Sequence, residues 1–395
     1  MEQKELQEKE NLNSTIPIEL GTIVRVADKF YQYLEMVDKT RCWVYRELQG
    51  LKQDNFNFST VKKYKGFTVC PDFINPKSEI KGWLNLFEPL TYEPKEGEFP
   101  TIEKLFKHIF EEQLELGYDR FSILLRYPEH LQPILVLAST LQSTAKSTFL
   151  NFTTNLFKGN SVIINISEFS QKFNSLYASK LCIGIDETII SEQFIKERLK
   201  QYSTAKSIQL RLMHKDYTSI PFYGKFTLCT NKELNFAKIE NDDQRFWLRI
   251  PSQIQDFDPF FEEKLTKEIP YFLHFLLNRT LSVPVSQSRM WFTKEQLHTD
   301  ALTKVINNSK SDCAKDIEIF FEEELERQNR DSIGATATEI FNCLNNKKHN
   351  LSNISYTLKH EMKIENINKS YYDLYNQYKI GRAYIFNRKN DDSSF

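Results

Sequence analysis

Four segments of the chain hold residues whose types and spacing suit the hydrolysis of a nucleoside triphosphate. The apolar run PILVLA (133–138) leads into Ser139-Thr140-Leu141-Gln142-Ser143-Thr144-Ala145-Lys146-Ser147-Thr148. A phosphate loop needs backbone N–H groups curled at a helix N-terminus, a lysine for the β and γ oxygens, and a hydroxyl for Mg2+. Lys146 and Ser147 suit the last two roles. Thr140, Ser143, Thr144, Ala145 and Thr148 complete an ATP-binding loop. Taken alone, the segment is equally an ordinary strand, loop and helix.

About forty residues on, Ile183-Gly184-Ile185-Asp186-Glu187 closes a second apolar run with adjacent carboxylates. One acid can hold the magnesium hydration shell while the other polarises the attacking water, and Asp186 and Glu187 take those roles in that order. The alternative is an ordinary acidic strand end. A third run ends at Thr230-Asn231, where a side-chain amide could orient water, though a lone Asn there also suits a turn. The segment 242–249 then offers Arg245 and, as second choice, Arg249. An arginine reaching a neighbouring subunit's nucleotide stabilises transition-state charge, and a surface ion pair is the competing role.

Positioning these groups calls for strands at 133–138, 161–166, 180–186, 222–231 and 245–250, alternating with helices. That pattern predicts an α/β core over 119–285 with a mostly parallel five-stranded sheet and its ligands at the carboxyl ends of the strands. Residues 1–20 have the polar, aperiodic pattern of a disordered tail. The region 21–118 is expected to be helix-rich: residues 29–48 have helical spacing, 66–74 could be a strand, and an amphipathic helix enters at Pro100-Thr101. The region 286–395 reads as helical, with a solvated acidic face at 318–328. Helices around 337–346 and 351–362, followed by a strand at 381–389, suggest a winged helix.

The bulk properties are neutral. Lys+Arg number 52 and Asp+Glu 53 in 395 residues, so no whole-chain field draws the protein to nucleic acid and any contact needs a local basic patch. No apolar run approaches the roughly 18 residues that span a bilayer, and the charged start lacks a signal-peptide core. A cytoplasmic protein without membrane contact is expected. The six cysteines lack the close pairing of zinc or redox motifs.

Taken together, FPTIEKLFKHIF, PILVLASTLQSTAKSTFL, ASKLCIGIDE, FYGKFTLCTN and DDQRFWLRIP resemble the superfamily 3 helicases of viruses, phages and plasmids. The similarity is to the helicase half of phage-type and poxvirus-type primase-helicases. The resemblance implies a P-loop core of the AAA+ type that uses ATP and Mg2+. It also implies a hexameric ring of identical chains, with nucleotide between subunits and single-stranded DNA in the pore. It further implies a pore hairpin between the acid pair and Asn231. In STAKSIQLRLMHKDYTSIPFYGKF the DNA contacts are then Arg211, His214 and Lys215, tracking the phosphate backbone without reading bases, or else they decorate a solvated hairpin tip.

Two departures from the family pattern stand out. Thr140 and Ala145 replace the usual loop glycines, so Ala145 must adopt a geometry that glycine takes more easily. No primase domain or zinc-binding region is recognisable ahead of the core, so any priming is expected from a separate protein. The leading expectation is an ATP-dependent DNA helicase of a phage, plasmid or mobile element. The alternatives are a catalytically weak, nucleotide-dependent initiator or loader scaffold, and a P-loop enzyme with another task.

Overall fold

Residues 29–48, expected as a helix, instead supply two strands of an antiparallel sheet. The computed structural model describes residues 18–35, 41–186, 193–211, 218–231, 245–256, 258–284, 290–344 and 348–388. Strands β1 (Ile23–Val26), β2 (Lys29–Glu35), β3 (Arg41–Arg46) and β4 (Lys63–Tyr64) form a sheet in the order β3-β2-β1-β4. Aromatic and β-branched residues favour a pleated, half-buried surface, and here they alternate. Tyr31 and Tyr33 are buried on one face of β2 together with Val24 and Val26 of β1. Cross-strand partners Tyr31 and Tyr45 meet edge to face at 6.2 Å, and Tyr33 and Trp43 lie 5.0 Å apart. Apolar residues on both faces of β2 and β3 gave these residues their false helical spacing. A second small sheet joins β5 (Phe67–Thr68), β6 (Glu79–Ile80) and β7 (Trp83–Asn85) in the order β5-β7-β6. The helix-rich expectation for 21–118 is thus corrected, with helix Pro100–Phe110 as its main helical part.

The core sheet contains β8 (Ile134–Ala138), β9 (Ser161–Ile164) and β10 (Cys182–Ile185). A hairpin of β11 (Ser207–Leu210) and β12 (Thr218–Pro221) intervenes before β13 (Lys225–Thr230) and β14 (Phe246–Arg249). The core order is β14-β8-β13-β10-β9, and every neighbouring pair is parallel. Parallel strands need long crossovers, and helices Lys146–Leu156 and Gln193–Tyr202 lie in two of them. β8 and β13 are buried along their whole length, as strands covered on both faces must be. The chain leaves β8 for the far edge at β9 and returns to place β14 on its other side. Such a reversal opens a crevice at the carboxyl ends of the strands.

Helices Pro100–Phe110, Leu114–Arg126, Lys146–Leu156 and Phe261–Asn278 pack around one aromatic cluster. The Phe106 ring lies within 6.0 Å of Phe110, Tyr118, Phe121, Phe149, Phe152 and Phe272. Pro100 opens its helix as expected, and the Glu268 carboxylate accepts from the N–H groups of Thr101 at 2.8 Å and Ile102 at 2.9 Å. That cap satisfies donors that the helix itself leaves open. Among the described residues, no helix is long and apolar enough to cross a membrane.

At the opposite edge of the sheet from the crevice, Lys225 is 4% exposed and donates to the Pro128 carbonyl. Burial pushes its pKa down to about 7, and burial pushes the neighbouring Cys182 thiol up to about 12. An unfolded lysine keeps its proton to about pH 10.4. Between about pH 7 and that value the unfolded chain therefore holds one more proton at this site, and stability rises with pH. Cys182 acts in the opposite sense. In Lys225→Met the rise in unfolding free energy across this window is expected to be smaller than in the wild type, as read by urea titration. Equal slopes would contradict the placement of Lys225.

The chain divides into two compact units, 1–305 and 306–395. In the second unit, helix Asp312–Arg327 buries Cys313, Ala314, Ile317, Phe321 and Leu325 and turns its acidic residues outward. Strand β15 (Ser332–Ala335), helices Ala337–Leu344 and Leu351–Tyr356, and strands β16 (Asn366–Tyr372) and β17 (Tyr378–Asn387) complete it. The antiparallel sheet order is β15-β17-β16.

Candidate functional site

The segment after β8 turns sharply into helix Lys146–Leu156, whose N-cap is Ala145. Ala145 has φ 60° and Ser143 φ 55°, both left-handed, whereas Thr140 is not among the positive-φ residues. Of the two glycine replacements, only Ala145 occupies a position that asks for glycine. A non-glycine residue in this region costs about 1–2 kcal/mol, partly offset by glycine's greater entropy loss of about 0.5–1 kcal/mol. Ala145→Gly is therefore expected to raise the unfolding free energy by about 0.5–1 kcal/mol, as read from the urea midpoint. A lower midpoint would show that the alanine methyl packs too well to lose.

Within the loop, Lys146 Nζ donates to the Ser139 carbonyl and to Thr144 Oγ1, each at 3.1 Å. The ammonium thus bends back over the loop from the first turn of the helix. Ser139 and Thr144 are buried, whereas Thr140, Ser143 and Ser147 face outward and Thr148 is half-buried. The first N–H groups of a helix have no partners within it, so this turn presents donors where Ser147 and Thr148 begin the helix.

Strand order brings three expected positions to one edge. β13 lies between β8 and β10, so Asn231, at the end of β13, and Asp186, at the end of β10, are next to the loop. The Ser139 N–H donates to the Thr230 carbonyl at 3.1 Å, and Ser147 Oγ donates to Asp186 Oδ2 at 3.2 Å. Burial, followed by the Asp186 charge, pushes the Cys229 thiol far up, and the Lys146 charge opposes that shift. A hydroxyl and a carboxylate beside a lysine form a donor set that suits Mg2+ on a polyphosphate. Asn231 is exposed. Glu187 lies outside the described residues.

The two arginines are separated from this cluster in different ways. Arg245 precedes β14, and its carbonyl accepts from the Ile134 N–H at 2.7 Å at the start of β8. Register sets it beside Pro133, six residues before Ser139, or about 20 Å along a strand. Arg249 is 4% exposed and committed within its own chain. It donates to the Ile109 carbonyl, to Gln113 Oε1 and to the carboxylates of Glu111 and Glu112. Trp247 Nε1 donates to the same Gln113 oxygen at 2.6 Å. Arg249 therefore braces β14 against residues 109–113, a role that the sequence signalled only through the acid pair Glu111-Glu112.

A β-hairpin lies between Asp186 and Asn231 in the chain. β11 and β12 pair antiparallel from Ser207↔Pro221 to Leu210↔Thr218. Arg211 lies half-buried at the end of β11, where its backbone N–H donates to Asn174 Oδ1 at 2.8 Å. His214 and Lys215 lie outside the described residues. A cavity of about 250 Å³ is lined by Tyr33, Arg41, Trp43, Lys77, Asn85 and Glu88 among others, none of them in the cluster around Lys146.

Residues 137–246 match the model of a family of unknown function (DUF5906). The match runs from β8 to the first residue of β14, and so takes in the loop, Asp186, Asn231 and Arg245. No curated protein matches the sequence. Among solved structures, the chain is similar to the apo structure of the NrS-1 C-terminal region (305–718). The TM-score is 0.65 at 14% identity, covering 92% of this chain and 95% of that one. The A-form apo structure of the same region gives 0.63 at 15% identity with the same coverage. At this identity the likeness is one of fold, extending over nearly the whole chain.

Proposed function

We propose that the chain is a nucleotide-driven DNA helicase of a phage, plasmid or mobile element, built on a P-loop core. The observation that carries the reading is the contact of Ser147 Oγ with Asp186 Oδ2 beside Lys146, at the reversal of a parallel sheet. ATP with Mg2+ would supply the transferable γ-phosphoryl group and the charge neutralisation at its oxygens. Lys146 would exchange Ser139 and Thr144 for phosphate oxygens. The helix N-terminus would hold phosphate through its N–H groups. Ser147 and Asp186 would hold the metal, Asn231 would orient water, and Glu187 would take its proton. Arg245 lies too far from its own loop to serve it, which favours a ring of copies, hexameric by the resemblance, with each arginine serving a neighbour.

The β11–β12 hairpin supports single-stranded DNA as the track, with Arg211, His214 and Lys215 as its contacts. In the second unit, a helix, a strand, two helices and a two-stranded ribbon follow one another in the order of a winged helix, which suits duplex binding. The left-handed alanine at position 145 favours a second reading, a weakly hydrolysing initiator or loader for which nucleotide acts as an assembly switch.

A strand-displacement assay separates the two readings. The wild type is expected to unwind a tailed duplex with ATP, and Glu187→Gln is expected to bind nucleotide without unwinding. Equal unwinding by both, or none by either, would sink the helicase reading.

A further inference from the structure

Asn174, in the segment between helix Ile166–Ser170 and β10, is 2% exposed. Its Oδ1 accepts the Arg211 N–H at 2.8 Å and its Nδ2 donates to the Gln209 carbonyl at 2.8 Å. These two atoms flank Leu210, the last paired residue of β11. One buried amide therefore takes the place of a neighbouring strand where the hairpin leaves for residues 211–217. Truncating it would remove both of these part-buried bonds, which hold the end of β11 to the segment that carries Asn174.

Asn174 is itself fixed from two sides. Its carbonyl accepts from the N–H groups of Tyr177 and Ala178 at 3.1 and 2.9 Å. The same segment is clasped by Arg198 of helix Gln193–Tyr202, which donates to the Ser170 and Gln171 carbonyls at 3.0 Å and to Tyr177 Oη at 2.9 Å. The guanidinium also lies 5.3 Å from the Phe169 and Tyr202 ring centres. The segment carrying Asn174 begins at the candidate nucleotide edge, at Asn165, directly after β9. The Asp186 N–H reaches the Ile164 carbonyl there at 3.4 Å.

We infer that Asn174 and Arg198 are positioning residues that couple the nucleotide edge of the sheet to the hairpin that holds single-stranded DNA. The inference rests on the proposed function. Displacement of Asp186 carries Ile164 and with it the segment from Asn165, Arg198 holds that segment on helix Gln193–Tyr202, and Asn174 carries the root of the hairpin. Neither residue touches nucleotide. Their loss therefore affects communication between the two sites and leaves basal chemistry in place.

The test measures ATP turnover by the full-length chain, with and without saturating oligodeoxythymidine, for wild type, Asn174→Ala, Arg198→Lys and the double variant. Each single variant is expected to keep the DNA-free rate and to lose DNA stimulation by about tenfold, within the usual range of site-to-site coupling. The double variant is expected to be no worse than either single one, because groups on one path are not additive. Asn174→Asp keeps the acceptor for Arg211 but not the donor to Gln209, so it should fall between wild type and Asn174→Ala. It also provides a folded control should the alanine variant fail to fold. Full stimulation in the variants, additive losses, or basal and stimulated rates falling together would each overturn the inference while leaving the nucleotidase reading intact. A wild type that turns over ATP without any DNA stimulation would do the same. A wild type without ATP turnover would overturn the proposed function and this inference together.

Discussion

Arg245→Ala is expected to lower ATP turnover by about a thousandfold, the scale of a transition-state arginine, with the unfolding free energy from urea titration changed by no more than about 0.5 kcal/mol. Register places the residue beside Pro133 at the start of β8, whereas Lys146 follows the end of that strand. The side chain therefore serves chemistry only if another copy brings its loop to it. Mixing gives the discriminating result. Lys146→Ala chains keep an intact Arg245, and Arg245→Ala chains keep an intact loop, so a mixture of the two inactive variants should recover part of the activity through hybrid sites. Wild-type turnover in Arg245→Ala would reduce the residue to a surface ion pair, and a mixture that stays inactive would refute the shared site.

Arg249→Ala acts through the fold. Its guanidinium joins β14 to Ile109, Glu111, Glu112 and Gln113, and Arg249 also holds the Glu112 carboxyl below its ordinary range. Glu111 and Glu112 are themselves largely exposed, so the loss lies mainly in buried hydrogen bonds and packing, about 2–4 kcal/mol. All four tryptophans lie within 1–305, so fluorescence in a urea titration reads this unit directly. The expected result is a clear drop in midpoint, larger than that of Arg245→Ala. An unchanged midpoint with turnover abolished would return Arg249 to a role at the nucleotide.

The parallel core was legible because each strand is a short apolar run and the chemistry sits where such runs end. The segments at 133–138, 161–166, 180–186, 222–231 and 245–250 hold β8, β9, β10, β13 and β14. Spacing also showed that Ala145 needed a glycine-like backbone, and its φ of 60° agrees. The strands at 29–35 and 41–46 were not legible, because apolar residues on both faces blur a period of two into something helix-like. β15 and β16 carry little apolar signal, and only their pairing with β17 defines them. The burial of Arg249 and the bridging role of Asn174 depend on contacts to residues far away in sequence, which no local pattern carries.

The central claim is that this loop binds and turns over ATP, and steady-state phosphate release from Mg-ATP by the purified chain tests it most directly. Wild type is expected to turn over ATP and to bind it measurably. Lys146→Ala, which removes the ammonium that replaces Ser139 and Thr144 with phosphate oxygens, is expected to lose about a hundredfold or more while keeping its fold. Turnover in Lys146→Ala equal to that of the wild type, or a wild type that neither binds nor hydrolyses ATP, would contradict the account.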